Sequence, residues 1–163
     1  MCLNVDGSLD AEGTAGCGGA LRNHNGEWLG GFMQAFHTTH AIEAEVWAIV
    51  KGLEWAWKKD VRHLIIQSDS KEAVDWINGR DTPRGHIQML VEEGHSWMKK
   101  DWDIQVHHVL REQNMVADSI AKMARHTVGS FNDIRDPPQR ILNLIEDDRL
   151  GRTWQRRGSE RNL

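Results

Sequence analysis

The sequence predicts an α/β fold, a mixed sheet flanked by helices, on three observations. Asn25-Gly26 lies between two apolar runs, the strongest short hairpin signal, and places antiparallel strands near the start. Small and apolar residues recur at helical spacing through residues 41–58. Beyond them, short strand-like runs alternate with helical ones, the pattern of parallel strands joined by right-handed crossovers.

In chain order, residues 2–8 are expected as a strand ending in Asp-Gly-Ser, and 17–24 and 27–36 as the hairpin strands around Asn25-Gly26. Residues 41–58 form a helix whose inner stripe is Glu45, Ala48, Ile49, Gly52, Leu53 and Ala56. Small residues on that stripe let a helix approach a sheet closely. Residues 63–68 are a short apolar strand. Ser70 to Ile77 are helical, with Ser70 as N-cap and Asn78-Gly79 as the stop. A further helix runs from Pro83 or Gly85 to about Lys99, residues 103–109 alternate as a strand, and residues 112–126 form a helix. This gives one globular unit over 1–127. Gly129 and Asp136-Pro137-Pro138 then break the pattern, leaving a C-terminal extension, 128–163, with a short amphipathic helix at about 139–148 and a disordered, Arg-rich tail after Gly151.

Composition narrows the classes of function. The chain has 163 residues, enough for one domain with a real core. No apolar run is long enough to cross a bilayer, and the N-terminus lacks a basic region followed by an apolar stretch, so a soluble, intracellular protein without a signal peptide is expected. Two cysteines, Cys2 and Cys17, are too few for a disulfide scaffold, and Cys17 is expected in the core. The histidine pairs His37/His40 and His107/His108 have no Cys-x-x-Cys partner, which argues against structural zinc. The formal charge is -4. Such a balance argues against a strong, diffuse grip on nucleic acid but does not exclude an enzyme that acts on it. Most of the tryptophans, Trp47, Trp55, Trp57, Trp76, Trp97 and Trp102, fall on helices or their ends and are expected to pack rather than to stack on bases.

Four carboxylates stand where an acid is costly. Asp6 ends Leu3-Asn4-Val5, Glu45 lies on the apolar stripe of its helix, Asp69 ends His63-Leu-Ile-Ile-Gln-Ser68, and Asp118 sits among Ala117, Ala121 and Ala124. Acids on apolar elements are paired or hold metal. Each alone has a plain explanation: a turn acid, a helix N-terminal acid, a solvated helix face. Four together point to divalent-metal chemistry on phosphate.

The residues around these acids carry a resemblance. Leu3-Asn4-Val5-Asp6-Gly7-Ser8 followed by Gly16-Cys17-Gly18-Gly19-Ala20-Leu21, then Ala44-Glu45-Val46-Trp47-Ala48, then Ser68-Asp69-Ser70, then His108-Val-Leu-Arg111-Glu-Gln-Asn114-Met-Val-Ala-Asp118, resemble in order the motifs of ribonuclease H type 1 domains. The wording is most similar to plant ribonuclease H-like, reverse-transcriptase-like domains related to non-LTR retroelements, closely over 3–127 and loosely over 128–151.

The resemblance implies a ribonuclease H-like fold: a five-stranded mixed sheet, three antiparallel strands and then parallel ones, flanked by helices. It implies an endonuclease that hydrolyses the RNA strand of RNA–DNA hybrids with two Mg²⁺ or Mn²⁺ ions. Asp6, Glu45, Asp69 and Asp118 match the family's metal-binding acids, and His108 its flexible-loop histidine, a residue type suited to proton transfer near neutral pH. Asn114 matches a substrate-backbone contact, and Arg111 is a candidate for phosphate or for pairing with an acid. The partner implied is nucleic acid, with no membrane, and the chain is expected to be a monomer. Where bacterial relatives carry Asn residues before the second acid, Ala41 and Ile42 stand here, and residues 78–100 hold few basic residues. These departures keep a second class open, a nucleic-acid-binding module with weak or no turnover. A 3′–5′ exonuclease of the same fold would need Asp-x-Glu where Asp6-Gly7-Ser8 stands. An interaction domain using the 139–148 helix is a further reading.

Overall fold

In a computed structural model, residues 1–127 and 131–150 are described. The first three strands are β1 (Cys2–Leu9), β2 (Thr14–Arg22) and β3 (Trp28–His37), antiparallel in order. The hairpin closes as expected: Asn23 Oδ1 accepts the amides of Asn25 (2.9 Å) and Glu27 (3.0 Å), and Gly26 takes φ 78°, a region open to glycine. β2 starts three residues earlier than expected, because pairing with β1 continues to Leu9↔Ala15.

α1 (Ala41–Lys58) has the expected bounds, and Ala48, Ile49, Gly52, Leu53 and Ala56 of its predicted stripe are buried. β4 (His63–Ser68) then pairs parallel with β1, and β5 (Asp103–His108) parallel with β4. α2 (Lys71–Ile77) and α3 (His86–Met98) lie between them. Ser70 caps α2, its Oγ accepting the Ala73 amide at 3.3 Å. The helix expected over 112–126 is divided: Arg111–Gln113 form a 3₁₀ turn and α4 spans Met115–Ala124. Asn114 breaks it, with φ -124° outside the helical region and its side chain tied to the sheet.

The sheet has six strands rather than five, in the order β5-β4-β1-β2-β3-β6. β6 (Asn132–Ile134) adds to the β3 edge through Gly31↔Ile134 to Met33↔Asn132. Three residues are too short to show a strand period. A 3₁₀ turn (Gln139–Ile141) and α5 (Leu142–Arg149) follow, near the expected helix, while the expected tail after Gly151 lies outside the described residues.

Each face of the sheet has its own core. Leu3, Val5, Cys17 and Phe32 pack under α1 with residues of α2 and α3. On the other face Ala20, Val116, Ile120, Ile141 and Ile145 pack together, so α4 and α5 share one apolar layer. Glycines permit the close approach: a Cβ on Gly16 would sit 2.3 Å from the Ala121 carbonyl oxygen, and one on Gly18 2.4 Å from Ile120 Cγ2. Trp55 and Trp76 are buried, and Trp57, Trp97 and Trp102 half-buried, which fits packing roles. Among the described residues no helix is long and apolar enough to cross a membrane.

Candidate active site

Three carboxylates meet at one end of the sheet. Asp6 comes from central strand β1, Asp69 follows the last residue of neighbouring β4, and Glu45 comes from the start of α1. One oxygen from each lies within 4.8 Å of the others. Gly7 makes this approach possible. A Cβ there would fall 2.3 Å from the Ala44 carbonyl carbon and 2.7 Å from the Glu45 amide, so any larger residue would push α1 off the strand. The Gly7 amide donates to Glu45 Oε1 at 2.9 Å, aiming the side chain at Asp6.

The electrostatics are those of charge held together against repulsion. Burial pushes the Asp6 carboxyl up to about 11, with the charges of Glu45 and Asp69 and the nearness of Asp118 adding to the shift. Burial also raises Glu45, to about 7, although the hydrogen bonds it shares with Asp6 and Gly7 work the other way. Acids this close hold a proton between them until a cation arrives. Glu45 Oε2 is buried and has no hydrogen-bond partner. An orphaned carboxylate oxygen beside two further carboxylates fits a hard divalent cation, which takes oxygen ligands.

Asp118, 8% exposed on α4, stands at the border of this cluster, near enough to act on Asp6. Its Oδ2 is paired with Lys122 Nζ at 3.0 Å, one helical turn on. His108 ends β5 exposed, in register with Ser68, the residue before Asp69. Arg111 is exposed and makes no ion pair among the described residues. Asn114 departs from expectation. It is 1% exposed, donates to the Val5 carbonyl at 2.9 Å and accepts from Asn4 Nδ2 at 2.9 Å, so its amide faces the sheet and not a substrate. It also makes no side-chain cap to α4.

Sequence reasoning passed over three contributors. Gly7 gave no sign beyond its place in Asp-Gly-Ser. Lys122 was readable as an i+4 partner of Asp118. The third is Glu43, which accepts from Thr38 Oγ1 at 2.6 Å and meets His86 Nε2 at 3.1 Å. Burial acts to raise its pKa, and these two bonds hold it below the ordinary range. Glu43, Thr38, His37 and His86 line an open hollow of about 450 Å³ at the start of α1. Two further hollows, of about 360 and 440 Å³, surround Trp55 and Asp133. Trp55 is ten residues along α1 from Glu45, ~15 Å at helical rise, so those hollows are remote from the acids.

The profile of the family described as reverse transcriptase-like matches residues 4–124. A protein of Arabidopsis thaliana named "Putative ribonuclease H protein" is 33% identical over 156 residues, covering 95% of this chain and 25% of that one. The chain therefore spans about a quarter of that relative's length. RNase H1 of the halophilic archaeon Halobacterium salinarum superposes with a TM-score of 0.71 at 22% identity, over 76% of this chain and 95% of that one. LC11-RNase H1, solved with an RNA/DNA hybrid, gives 0.68 at 20% identity, over 76% and 94%. The solved structures show that the fold is that of ribonuclease H.

Proposed function

The chain belongs to the reverse transcriptase-like family, and from that premise we propose that it is an endonuclease hydrolysing the RNA strand of RNA–DNA hybrids with divalent metal. The single observation that carries this reading is the meeting of Asp6, Glu45 and Asp69 oxygens within 4.8 Å, with Glu45 Oε2 orphaned. The acids fit Mg²⁺ or Mn²⁺: Asp6, Glu45 and Asp69 would hold one ion, and Asp118 would share a second with Asp6. Bound there, the ions supply Lewis-acid polarisation of a phosphate oxygen and a lowered pKa for water.

The chain's own residues do the rest. Gly7 fixes Glu45 through its amide. The rigid sheet holds Asp6 and Asp69 side by side, so little reorganisation remains when substrate binds. His108, exposed at the end of the next strand, would exchange protons with the leaving oxygen or help product depart. Arg111 is free to meet a phosphate. Discrimination of RNA would rest on 2′-OH contacts across the minor groove. Residues 1–127 are the proposed catalytic unit and 128–163 an extension of it, acting as a monomer.

A second reading is favoured by one set of residues. Ala41 and Ile42 begin α1 beside the site, and neither offers a hydrogen bond to a base edge. A binding module with little turnover would follow. Purified protein incubated with labelled RNA–DNA hybrid, RNA duplex and DNA duplex, in Mg²⁺ or EDTA, beside Asp69→Asn, separates the two. Metal-dependent cutting of the hybrid's RNA strand, lost in the variant, supports the nuclease. Binding of hybrid without cutting sinks it and supports the module.

A further inference from the structure

Two residues ahead of each strand acid stands a polar side chain with no part in the site: Asn4 before Asp6, and Gln67 before Asp69. They are register partners across β1 and β4, and Asn4 Nδ2 donates to Gln67 Oε1 at 3.1 Å. The same amide group reaches Asn114 Oδ1 at 2.9 Å and the Gln113 carbonyl at 3.4 Å. Asn114 returns its own amide to the Val5 carbonyl at 2.9 Å, and its backbone oxygen accepts the Asp118 amide at 3.1 Å. Asn4, 2% exposed, thus touches the segments that deliver Asp6, Asp69 and Asp118.

The network extends to the far side of the molecule. Asn4 Oδ1 accepts from Arg22 Nη2 on β2, and Arg22 Nη1 pairs with Asp148 on α5. The Arg22 and Asp148 side chains are only 13% and 28% exposed. Cys2 Sγ lies 3.7 Å from Asn4 Oδ1, and burial is the largest influence on both Cys2 and Arg22. A buried network of this kind contributes little over apolar packing of the same shape, and its known use is to specify one geometry.

We propose that Asn4 is a positioning residue that sets the relative register of three of the acids, and that α5 locks it through the Asp148–Arg22 pair. Removing Asp148 leaves a buried guanidinium with one partner lost, and Arg22 then moves toward water and takes its hand off Asn4. The strand loosens at Val5–Gly7 while the apolar layer under α5 stays closed. The metal consequence rests on the reading of the acids as a metal site; the strand consequence does not.

The full chain is compared with Asp148→Asn and with Ile145→Ala, which weakens α5 packing but leaves the network whole. Hydrogen exchange over residues 4–7 and Mn²⁺ affinity are read at a temperature well below both melting points. Asp148→Asn is expected to speed exchange over 4–7 by about tenfold relative to Ile145→Ala, as for loss of a charged hydrogen bond, and to weaken Mn²⁺ binding. Equal exchange in the two variants overturns the proposal. Failure of the unchanged chain to bind Mn²⁺ overturns the metal reading and the metal arm with it, and the exchange result still decides whether Asp148 holds the strand.

Discussion

Gly7 and Glu45 are in contact twice: the Gly7 amide donates to Glu45 Oε1 at 2.9 Å, and a Cβ on Gly7 would lie 2.7 Å from the Glu45 backbone nitrogen. The same absence of a side chain that lets α1 reach β1 therefore brings the second acid to the first. Gly7→Ala is expected to force the helix outward, destabilising the fold by about 1–3 kcal/mol, as overpacking does. The misplaced Glu45 should weaken Mn²⁺ binding by about 10–100-fold, the range for lost support of a metal ligand. Thermal melting and Mn²⁺ titration on the same preparation check both. Full Mn²⁺ affinity in a folded variant would show that this contact does not position Glu45.

The acids also make stability depend on pH in an unusual direction. Asp6 is raised from 3.8 to about 11 and Glu45 from 4.5 to about 7, first by burial. Above the ordinary carboxyl range the folded state then binds more protons than the unfolded one, so stability falls as pH rises. The contribution is complete below about pH 4 and is lost upward, with both groups acting until about pH 7 and Asp6 alone beyond it. Carboxylates with lowered pKa, such as Glu54, Asp75 and Asp133, act oppositely and only on the acid side. In EDTA the melting temperature should therefore drop between pH 5 and 8, and Mg²⁺ should flatten the drop by stabilising the ionised forms. A melting temperature constant across that window in EDTA would refute the raised pKa values.

The far end of the sheet offers a control. Asp133 on β6 accepts from Lys59 Nζ at 2.7 Å and from Trp55 Nε1 at 2.8 Å, and these two bonds, the Lys59 one first, hold its pKa low. Asp133→Ala takes the acceptor from the partly buried indole N–H of Trp55, a loss of about 0.5–1.5 kcal/mol. Metal binding should be unchanged, because Trp55 lies at the opposite end of α1 from Glu45. Urea unfolding measures the first effect and Mn²⁺ titration the second. A variant as stable as the parent chain would mean that β6 is not held by this contact.

What was legible in the sequence follows from how many residues carry each signal. α1 was read to both bounds because an eighteen-residue helix repeats its stripe several times. The three meeting acids were legible because each interrupts an apolar element. β6 was not, since three residues at a sheet edge have no period and their pairing depends on Gly31–Met33 far away in sequence. The resemblance implies a substrate contact for Asn114 because a motif match carries residue type and spacing, not whether the side chain faces solvent or the sheet. Only the position of Val5 and Asn4 in space decides it. The same limit hid Gly7, whose importance lies in what its missing side chain would strike.

Lys122 is the remaining handle on the site. Its ammonium, 53% exposed, sits 3.0 Å from Asp118 Oδ2, where a cation shared between Asp118 and Asp6 would stand. The ammonium would compete with such a cation for the same oxygen. Lys122→Met removes the competitor and keeps most of the length of the side chain, so Mn²⁺ binding at the proposed second site, between Asp118 and Asp6, should tighten. An exposed i,i+4 pair is worth about 0.3–0.5 kcal/mol, and a partly shielded one up to about 1 kcal/mol, so the gain should be about two- to fivefold. Helix stability should fall by no more than that pair is worth. Titration by electron paramagnetic resonance, which counts free Mn²⁺, resolves the change. Weaker binding at that site in Lys122→Met would show instead that the ammonium orients Asp118 for the metal, and the competition account would be wrong.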